Sequence, residues 1–187
     1  MCIDTESVND MIKRPLYIEK LNSLKNNERV KIITGIRRSG KSYLLKNLYK
    51  EDLKSHGVND NHIIYIALDD FDNSYLWNPV NLNKYIKSLI VDDEKYYIMI
   101  DEIQNVYDII NPIFTEGKIV KAKRNDEDKI GYIEVVLGLM KLENVDLYIT
   151  GSNSRFLSKD IITDFRDRGD EIHVLPLSFR EFVSVYD

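Results

Sequence analysis

The segment at residues 35–42 constrains the fold of this chain more than any other. It reads Gly-Ile-Arg-Arg-Ser-Gly-Lys-Ser and fits the phosphate-binding pattern G-x-x-x-x-G-K-[ST]. A β-branched apolar run at 30–34 precedes it, and the helix-forming run Tyr-Leu-Leu-Lys-Asn-Leu follows it. Glycines let such a loop turn tightly and point its N–H groups inward, lysine reaches the β- and γ-phosphates, and serine binds Mg²⁺. The strand, loop and helix therefore predict a nucleotide site in an α/β protein.

The residues of this loop are the first candidate site residues. We expect the backbone amides of 36–42 to surround the phosphates of ATP, at the positive end of the helix that begins near residue 40. Lys41 is expected to act in catalysis by bridging the β- and γ-phosphates, and Ser42 to hold Mg²⁺. Arg37 and Arg38 are unusual in the middle of such a loop. Three interpretations stay open for them: contact with phosphate, contact with a neighbouring subunit, or a position in solvent. The predicted nucleotide-binding residues are Gly35, Ile36, Arg37, Arg38, Ser39, Gly40, Lys41, Ser42 and Tyr43.

A second candidate segment is Asp101-Glu102, which ends the apolar run Tyr-Tyr-Ile-Met-Ile at 96–100. An aspartate at the end of a strand can hold the Mg²⁺ hydration shell, and the adjacent glutamate can orient and deprotonate the attacking water. Acidic residues also end strands for solubility alone. Together with the loop at 35–42, however, Asp101 is predicted to be a metal ligand and Glu102 the catalytic base.

Apolar runs alternate with helical patterns along the rest of the chain, which is typical of βαβ units and a parallel sheet. The predicted strands lie at 30–34, 62–68, 96–100, 145–150 and 171–175, and the predicted helices begin at Pro15, after the loop, near Leu82, near Ile133 and at Ser178. Nine of the seventeen residues at 115–131 are charged. We interpret about 109–132 as an exposed insertion. Its charged residues are predicted to form a solvated surface, and the alternative hypothesis is that they bind a partner.

The turn after the strand at 145–150 supplies further candidates. In this fold class that strand lies beside the phosphate loop, so a polar residue at its tip can sense the γ-phosphate. Thr150, Ser152 and Asn153 are the candidates, of which Thr150 and Asn153 are assigned to the nucleotide site. The alternative is a plain Gly-Ser-Asn turn with helix-capping oxygens.

Composition narrows the setting of the protein. The chain has 187 residues, one cysteine (Cys2) and a net charge of −5, with no apolar run of membrane-spanning length and no basic, apolar leader. These features predict a cytoplasmic protein without a membrane partner. The negative charge disfavours nucleic-acid binding through this segment.

Five motifs together resemble a family of bacterial and archaeal AAA-type P-loop ATPases, in which the AAA domain is usually followed by a C-terminal domain of unknown function. They are Ile-Thr-Gly-Ile-Arg-Arg-Ser-Gly-Lys-Ser (33–42), Ile-Asp-Glu-Ile-Gln (100–104), Thr-Gly-Ser-Asn-Ser (150–154), Asp-Arg-Gly-Asp-Glu-Ile (167–172) and Pro-Leu-Ser-Phe-Arg-Glu-Phe (176–182). The resemblance implies a three-layer α/β core with a parallel sheet of strand order 5-1-4-3-2, in the additional-strand catalytic-glutamate class. It also implies Walker A and Walker B motifs and Mg-dependent ATP hydrolysis.

The resemblance implies a division of the chain and further partners. Residues 1–29 are expected to form a lead-in and helix, and 30–187 an ATPase core whose lid and effector domain are absent. A homo-oligomer, or the missing C-terminal domain, is the expected partner besides nucleotide. Where the family often has Gly-Arg before its last strand, this chain has Asp167-Arg168, so Arg168 is implied as a sensor or intersubunit arginine finger. Its alternative is a surface ion pair with a nearby aspartate.

Two other functions stay open at this point. One is an ATP-gated switch or scaffold that turns over rarely, and it predicts tight nucleotide binding with negligible hydrolysis. The other is a P-loop kinase, which Asp101-Glu102 disfavours because a water-activating glutamate would hydrolyse the ATP that a kinase must conserve.

Overall fold

A five-stranded parallel sheet organises the protein. The computed structural model describes residues 12–123, 125–152, 165 and 168–183. The strand order is β2-β3-β6-β1-β7, with a separate antiparallel pair β4-β5. Counting only the strands of the large sheet, this is the predicted order 5-1-4-3-2, which is confirmed. The strands are β1 (Val30–Thr34), β2 (Ile63–Ala67), β3 (Tyr96–Asp101), β4 (Ile109–Ile110), β5 (Lys129–Ile130), β6 (Val145–Thr150) and β7 (Gly169–His173).

Helices cover both faces of the sheet and produce the three layers. On one face, Pro15–Leu24 and the phosphate-loop helix pack in a core with Leu21, Leu44 and Tyr148. On the other, Pro79–Leu89 and Tyr132–Leu139 pack in a core with Ile32, Leu82 and Ile98. The phosphate-loop helix is α-helical at Lys41–Tyr43, π-helical at Leu44–Tyr49 and α-helical again at Lys50–Ser55. A last α-helix spans Phe179–Val183. Short 3₁₀ helices span Asp60–His62, Phe71–Trp77, Ile103–Asn105 and Pro112–Thr115.

The register brings the candidate segments to one edge of the sheet. β1, β3 and β6 are buried along their whole length, which explains why their sequences are almost continuously apolar. Ile33 pairs with Thr150, and Ile100 pairs with Ile149. Since the strands are parallel, the loop after β1 and the acidic pair ending β3 meet beside the tip of β6.

A charged pair lies inside the sheet toward its opposite edge. Lys31 on β1 and Asp146 on β6 form a buried ion pair. The Tyr148 hydroxyl donates to the second oxygen of Asp146 at 2.6 Å and contacts the Tyr49 hydroxyl at 2.8 Å. Burial lowers the pKa of Lys31, while the Asp146 carboxylate opposes that shift. Paired and hydrogen-bonded in this way, the two charges are tolerated in the core.

The last strand begins two residues earlier than predicted. It spans Gly169–His173 rather than 171–175. Gly169 pairs with Val30, and a Cβ at Gly169 would lie 2.5 Å from the Ile32 side chain, so glycine permits this close start. Beyond the strand, the Leu175 carbonyl accepts a hydrogen bond from Arg14 instead of continuing the ladder.

Candidate functional site

The backbone of the loop at 35–42 needs glycine at its first position. Gly35 has φ +147°, and a Cβ there would lie 2.3 Å from the Val174 carbonyl oxygen. Gly40 precedes the phosphate-loop helix with φ +92°, and Arg38 also takes a positive φ of 67°. The loop therefore turns tightly between β1 and the helix, whose first amides lack acceptors within the helix.

Lys41 lies inside this turn. Its side chain is 4% exposed, and its Nζ donates to the carbonyl oxygens of Gly35 at 3.0 Å and Ile36 at 3.2 Å. Burial lowers the pKa of Lys41, whereas the charges of Glu102 and Asp101 oppose that shift. An ammonium group has three N–H donors, so a donor remains for an anion beside the loop.

The other predicted loop residues differ in exposure. Ile36, Arg37, Arg38 and Ser42 are exposed, and Tyr43 is half-buried in the first helical turn. Ser39 is buried, and its hydroxyl has no partner among the described residues. Both loop arginines thus extend from the loop, while Ser39 belongs to its interior.

Asp101 is held by two hydroxyl groups. Its Oδ1 accepts a hydrogen bond from Thr150, and its Oδ2 accepts one from the Tyr65 hydroxyl at 2.7 Å. Burial and the charge of Asp101 raise the pKa of Tyr65, so this hydroxyl keeps its proton and can donate it. The two hydroxyl groups therefore fix the direction of the Asp101 carboxylate.

Glu102 occupies a strained backbone position at the end of β3. Its φ is +53°, which is uncommon for a residue with a side chain. Its amide donates to Thr150 Oγ1 at 3.0 Å, and its carboxylate accepts hydrogen bonds from Ser152 at 3.0 and 3.1 Å and from Gln104. These hydrogen bonds fix the direction of the carboxylate, whose charge acts on Lys41.

Two sequence-based assignments lie at opposite ends of the sheet. Thr150 is fully buried, and its hydroxyl contacts Asp101 and the Glu102 amide, so it supports the acidic pair; its role as a sensor of the γ-phosphate stays a prediction. Arg168 precedes β7 and its carbonyl accepts from the amide of Val30, so it lies at the start of β1. The length of a five-residue strand, about 16 Å, separates it from the loop and excludes a sensor within the same chain. Asn153 lies outside the described residues.

Tyr65 is the site residue that sequence reasoning missed. It sits in the apolar run of β2, where an aromatic residue is the expected core choice. The available signal was the placement of β2 next to β3, since residues 65 and 99 pair and residue 101 lies two positions on. Ser152, a candidate at the tip of β6, and Gln104, the last residue of the motif at 100–104, both contact Glu102.

Two features are absent from the described part of the chain. No cluster of three or more His, Cys, Asp or Glu side chains suited to a metal ion occurs there. Within the same residues, no helix is long and apolar enough to cross a membrane.

The parallel sheet, its strand order and the loop between β1 and a helix define a P-loop-type α/β protein. The profile of the AAA domain family matches residues 27–183, and the chain belongs to that family.

The chain is similar to an uncharacterized protein of Haemophilus influenzae, with 34% identity over 176 residues, covering 92% of this chain and 38% of the relative. An uncharacterized protein of Methanocaldococcus jannaschii is 30% identical over 159 residues, covering 83% of this chain and 28% of the relative. The chain spans less than two fifths of the length of both relatives.

Solved structures share the fold at low sequence identity. PCH-2 of C. elegans gives a TM-score of 0.54 at 17% identity, covering 90% of this chain and 44% of that one. AMPPCP-bound DnaA of Aquifex aeolicus gives 0.51 at 14% identity, covering 90% and 47%. At these identities the likenesses show the fold alone, an α/β core built on a parallel sheet.

Proposed function

We propose that this protein binds Mg-ATP and hydrolyses it to ADP and phosphate. The observation that carries the proposal is the meeting of three groups at one edge of the sheet. Lys41 lies in the loop after β1, within the electrostatic influence of both Asp101 and Glu102 at the end of β3. A cation for phosphate, a ligand for metal and a base for water are the three groups that this chemistry needs.

The residues present fit a magnesium ion. Ser42 has an exposed side chain at the start of the phosphate-loop helix, and Asp101 offers a carboxylate that the Tyr65 hydroxyl holds in place. Mg²⁺ is usually held through one or two protein oxygens together with phosphate oxygens and waters, so a larger acidic cluster is unnecessary. When bound, Mg²⁺ would neutralise charge on the β- and γ-phosphates.

The side chains then divide the reaction between them. Amides of the loop surround the phosphates, and Lys41 donates to a phosphate oxygen. Glu102 orients a water and takes its proton as the water oxygen bonds to the γ-phosphorus. The bond from that phosphorus to the β–γ bridging oxygen breaks, and ADP departs with the charge that Lys41 stabilises. Ser152 and Gln104 act by holding the direction of Glu102.

A slow ATP-dependent switch is the second candidate function. It is favoured by the two side-chain donors on Glu102, because they occupy lone pairs of the carboxylate that would otherwise hold the attacking water. The two functions differ in turnover. A switch would bind Mg-ATP tightly and release phosphate no faster with Glu102 than with glutamine at that position.

Arg168 is retained only as an arginine for a neighbouring subunit. Its side chain is exposed, and an arginine supplied in trans contributes about 10³ to 10⁵ in turnover in related chemistry. If the protein assembles in this way, turnover per protomer rises with protein concentration, and Arg168→Ala removes that rise.

Calorimetric titration with Mg-ATP and steady-state phosphate release test the proposed function together. We expect Lys41→Ala to abolish measurable ATP binding and Glu102→Gln to bind ATP while releasing little phosphate. Lys54→Ala is the matched control, since Lys54 is an exposed lysine further along the phosphate-loop helix that pairs with Glu51. Equal phosphate release from the unaltered protein, Lys41→Ala and Glu102→Gln would contradict the proposal.

A further inference from the structure

Arg14 joins three separate segments of the protein through one guanidinium group. Its Nη1 donates to the Ser39 carbonyl at 3.0 Å, its Nη2 to the Leu175 carbonyl at 2.8 Å, and its Nε to Glu181 Oε1 at 2.9 Å. The residue is 3% exposed. One acceptor belongs to the phosphate loop, and the other two belong to the segment that follows β7.

The carboxylate of Glu181 also has a second task. Its Oε2 accepts hydrogen bonds from the amide and the hydroxyl of Ser178, while the Ser178 hydroxyl accepts from the Glu181 amide at 3.2 Å. This is the capping box that the sequence predicts. Burial pushes the pKa of Glu181 upward, but the hydrogen bonds from Ser178 and Arg14 lower it overall. The charge that starts the last helix is therefore the same charge that pairs with Arg14.

Tyr17 reinforces the junction. Its ring centroid lies 4.4 Å from the Arg14 guanidinium, and its hydroxyl accepts a hydrogen bond from the Leu175 amide at 3.1 Å. The arginine is thus held by a ring and three acceptors, a geometry that the planar guanidinium fork suits and that a lysine cannot reproduce. A shift of the 175–181 segment must move Arg14 or break its bonds.

We propose that Arg14 is a positioning residue that couples the phosphate loop to the segment at 174–183, so that ATP binding and the order of that segment favour each other. The proposal rests on the proposed function, because it takes ATP as the ligand of the loop. The Ser39 carbonyl is the contact within the loop, directly before Gly40 and Lys41. Coupling of this kind is reciprocal, so the factor by which the ordered segment raises ATP affinity is the factor by which bound ATP favours the ordered segment.

The first test uses amide hydrogen exchange without nucleotide. We expect Arg14→Gln and Glu181→Gln to accelerate exchange at residues 36–42 and 174–183, while the amides of β3 and β6 keep the rates of the unaltered protein. Glu51→Gln is the matched control, because Glu51 accepts from Lys54 at 3.0 Å in an exposed ion pair away from the loop. Unchanged exchange at 36–42 would overturn the link, and uniform acceleration across the sheet would reduce Arg14 to a general structural role.

The second test measures Mg-ATP affinity and exchange in its presence. Couplings of this type change affinity by about 5 to 150-fold, so we expect Glu181→Gln to weaken Mg-ATP binding at least about fivefold and Glu51→Gln to leave it unchanged. Mg-ATP should slow exchange at 174–183 in the unaltered protein and not in Arg14→Gln. Compared with Arg14→Gln, Arg14→Lys should restore part of this slowing by Mg-ATP. The restoration should be incomplete because one ammonium group cannot reach all three acceptors at once.

The outcomes separate the two proposals. If Glu181→Gln binds Mg-ATP as tightly as the unaltered protein, the coupling is wrong and the proposed function stands. If the unaltered protein binds no Mg-ATP, the proposed function is wrong, and the nucleotide part of the coupling is wrong with it. Should Arg14→Gln fail to fold, Glu181→Gln still decides, because it keeps the arginine and its two carbonyl acceptors.

Discussion

Replacement of Thr150 by valine tests how the site is supported. Thr150 is fully buried, and its hydroxyl donates to Asp101 and accepts from the Glu102 amide. Valine has nearly the same shape but no hydroxyl, so it leaves a carboxylate oxygen and an amide without this partner. Stranding a buried polar group costs about 1–3 kcal/mol, and the two together predict a loss of about 3 kcal/mol in the free energy of unfolding.

Thr150→Ser is the matched control for this substitution. It keeps the hydroxyl and removes one buried methyl, which costs about 1 kcal/mol. The fluorescence of Trp77, the only tryptophan in the chain, reports unfolding of both variants. Unfolding in urea gives the free energy of unfolding, and unfolding on heating gives the melting temperature. At about 2–4 °C per kcal/mol for a domain of this size, the valine variant should melt about 6–12 °C lower.

Phosphate-release kinetics then distinguish two roles for Thr150: support of Glu102 and direct contact with phosphate. Because Thr150 holds the backbone of Glu102, we expect Thr150→Val to lower the rate of phosphate release at saturating ATP, while the ratio of ATP affinity to ADP affinity stays the same. A valine variant as stable as the unaltered protein would refute the hydrogen-bond reasoning. A selective loss of ATP affinity over ADP affinity would instead favour a direct sensor role for Thr150.

Three further substitutions address the rest of the structure. Tyr65→Phe removes the hydroxyl that holds Asp101, a predicted metal ligand, so we expect the Mg²⁺ concentration for half-maximal phosphate release to rise several-fold while stability falls by about 1 kcal/mol; an unchanged Mg²⁺ dependence would contradict this. Gly35→Ala should cost more than Gly57→Ala in thermal melts, because both glycines have positive φ but only Gly35 lacks room for a Cβ; equal losses would argue against the close approach. Lys31→Ala should destabilise by about 3–5 kcal/mol by stranding its buried carboxylate partner, and a loss no larger than that of Lys54→Ala would refute it.

Local sequence was sufficient to predict the sheet and the position of the site. The apolar runs that became β1, β3 and β6 are buried on both faces, which makes them readable as strands. In a parallel sheet the residues following such strands meet at one edge. Asp101 could therefore be assigned to the phosphate loop 60 residues before it, although no local signal joins the two.

The supporting contacts could not be predicted because they depend on side chains far apart in sequence. Arg14 and Glu181 are 167 residues apart, and Tyr65 reaches Asp101 across 36. The place of Thr150 at a strand tip was predicted, but the direction of its hydroxyl toward Asp101 depends on the pairing of β6 with β3. The distance of Arg168 from the phosphate loop likewise follows only from the parallel pairing of β7 with β1.

Single-turnover cleavage of bound ATP tests the central claim most directly. Excess protein is mixed with Mg-ATP, and ADP formation is followed in the unaltered protein, in Glu102→Gln and in Glu143→Gln, which replaces a surface glutamate distant from the loop. General-base catalysis contributes about 10² to 10⁴, so Glu102→Gln should bind ATP normally and cleave it at least about 100-fold more slowly, while Glu143→Gln matches the unaltered protein. ATP cleavage at the same rate in Glu102→Gln and the unaltered protein would contradict the assignment of Glu102 and, with it, the proposed hydrolysis.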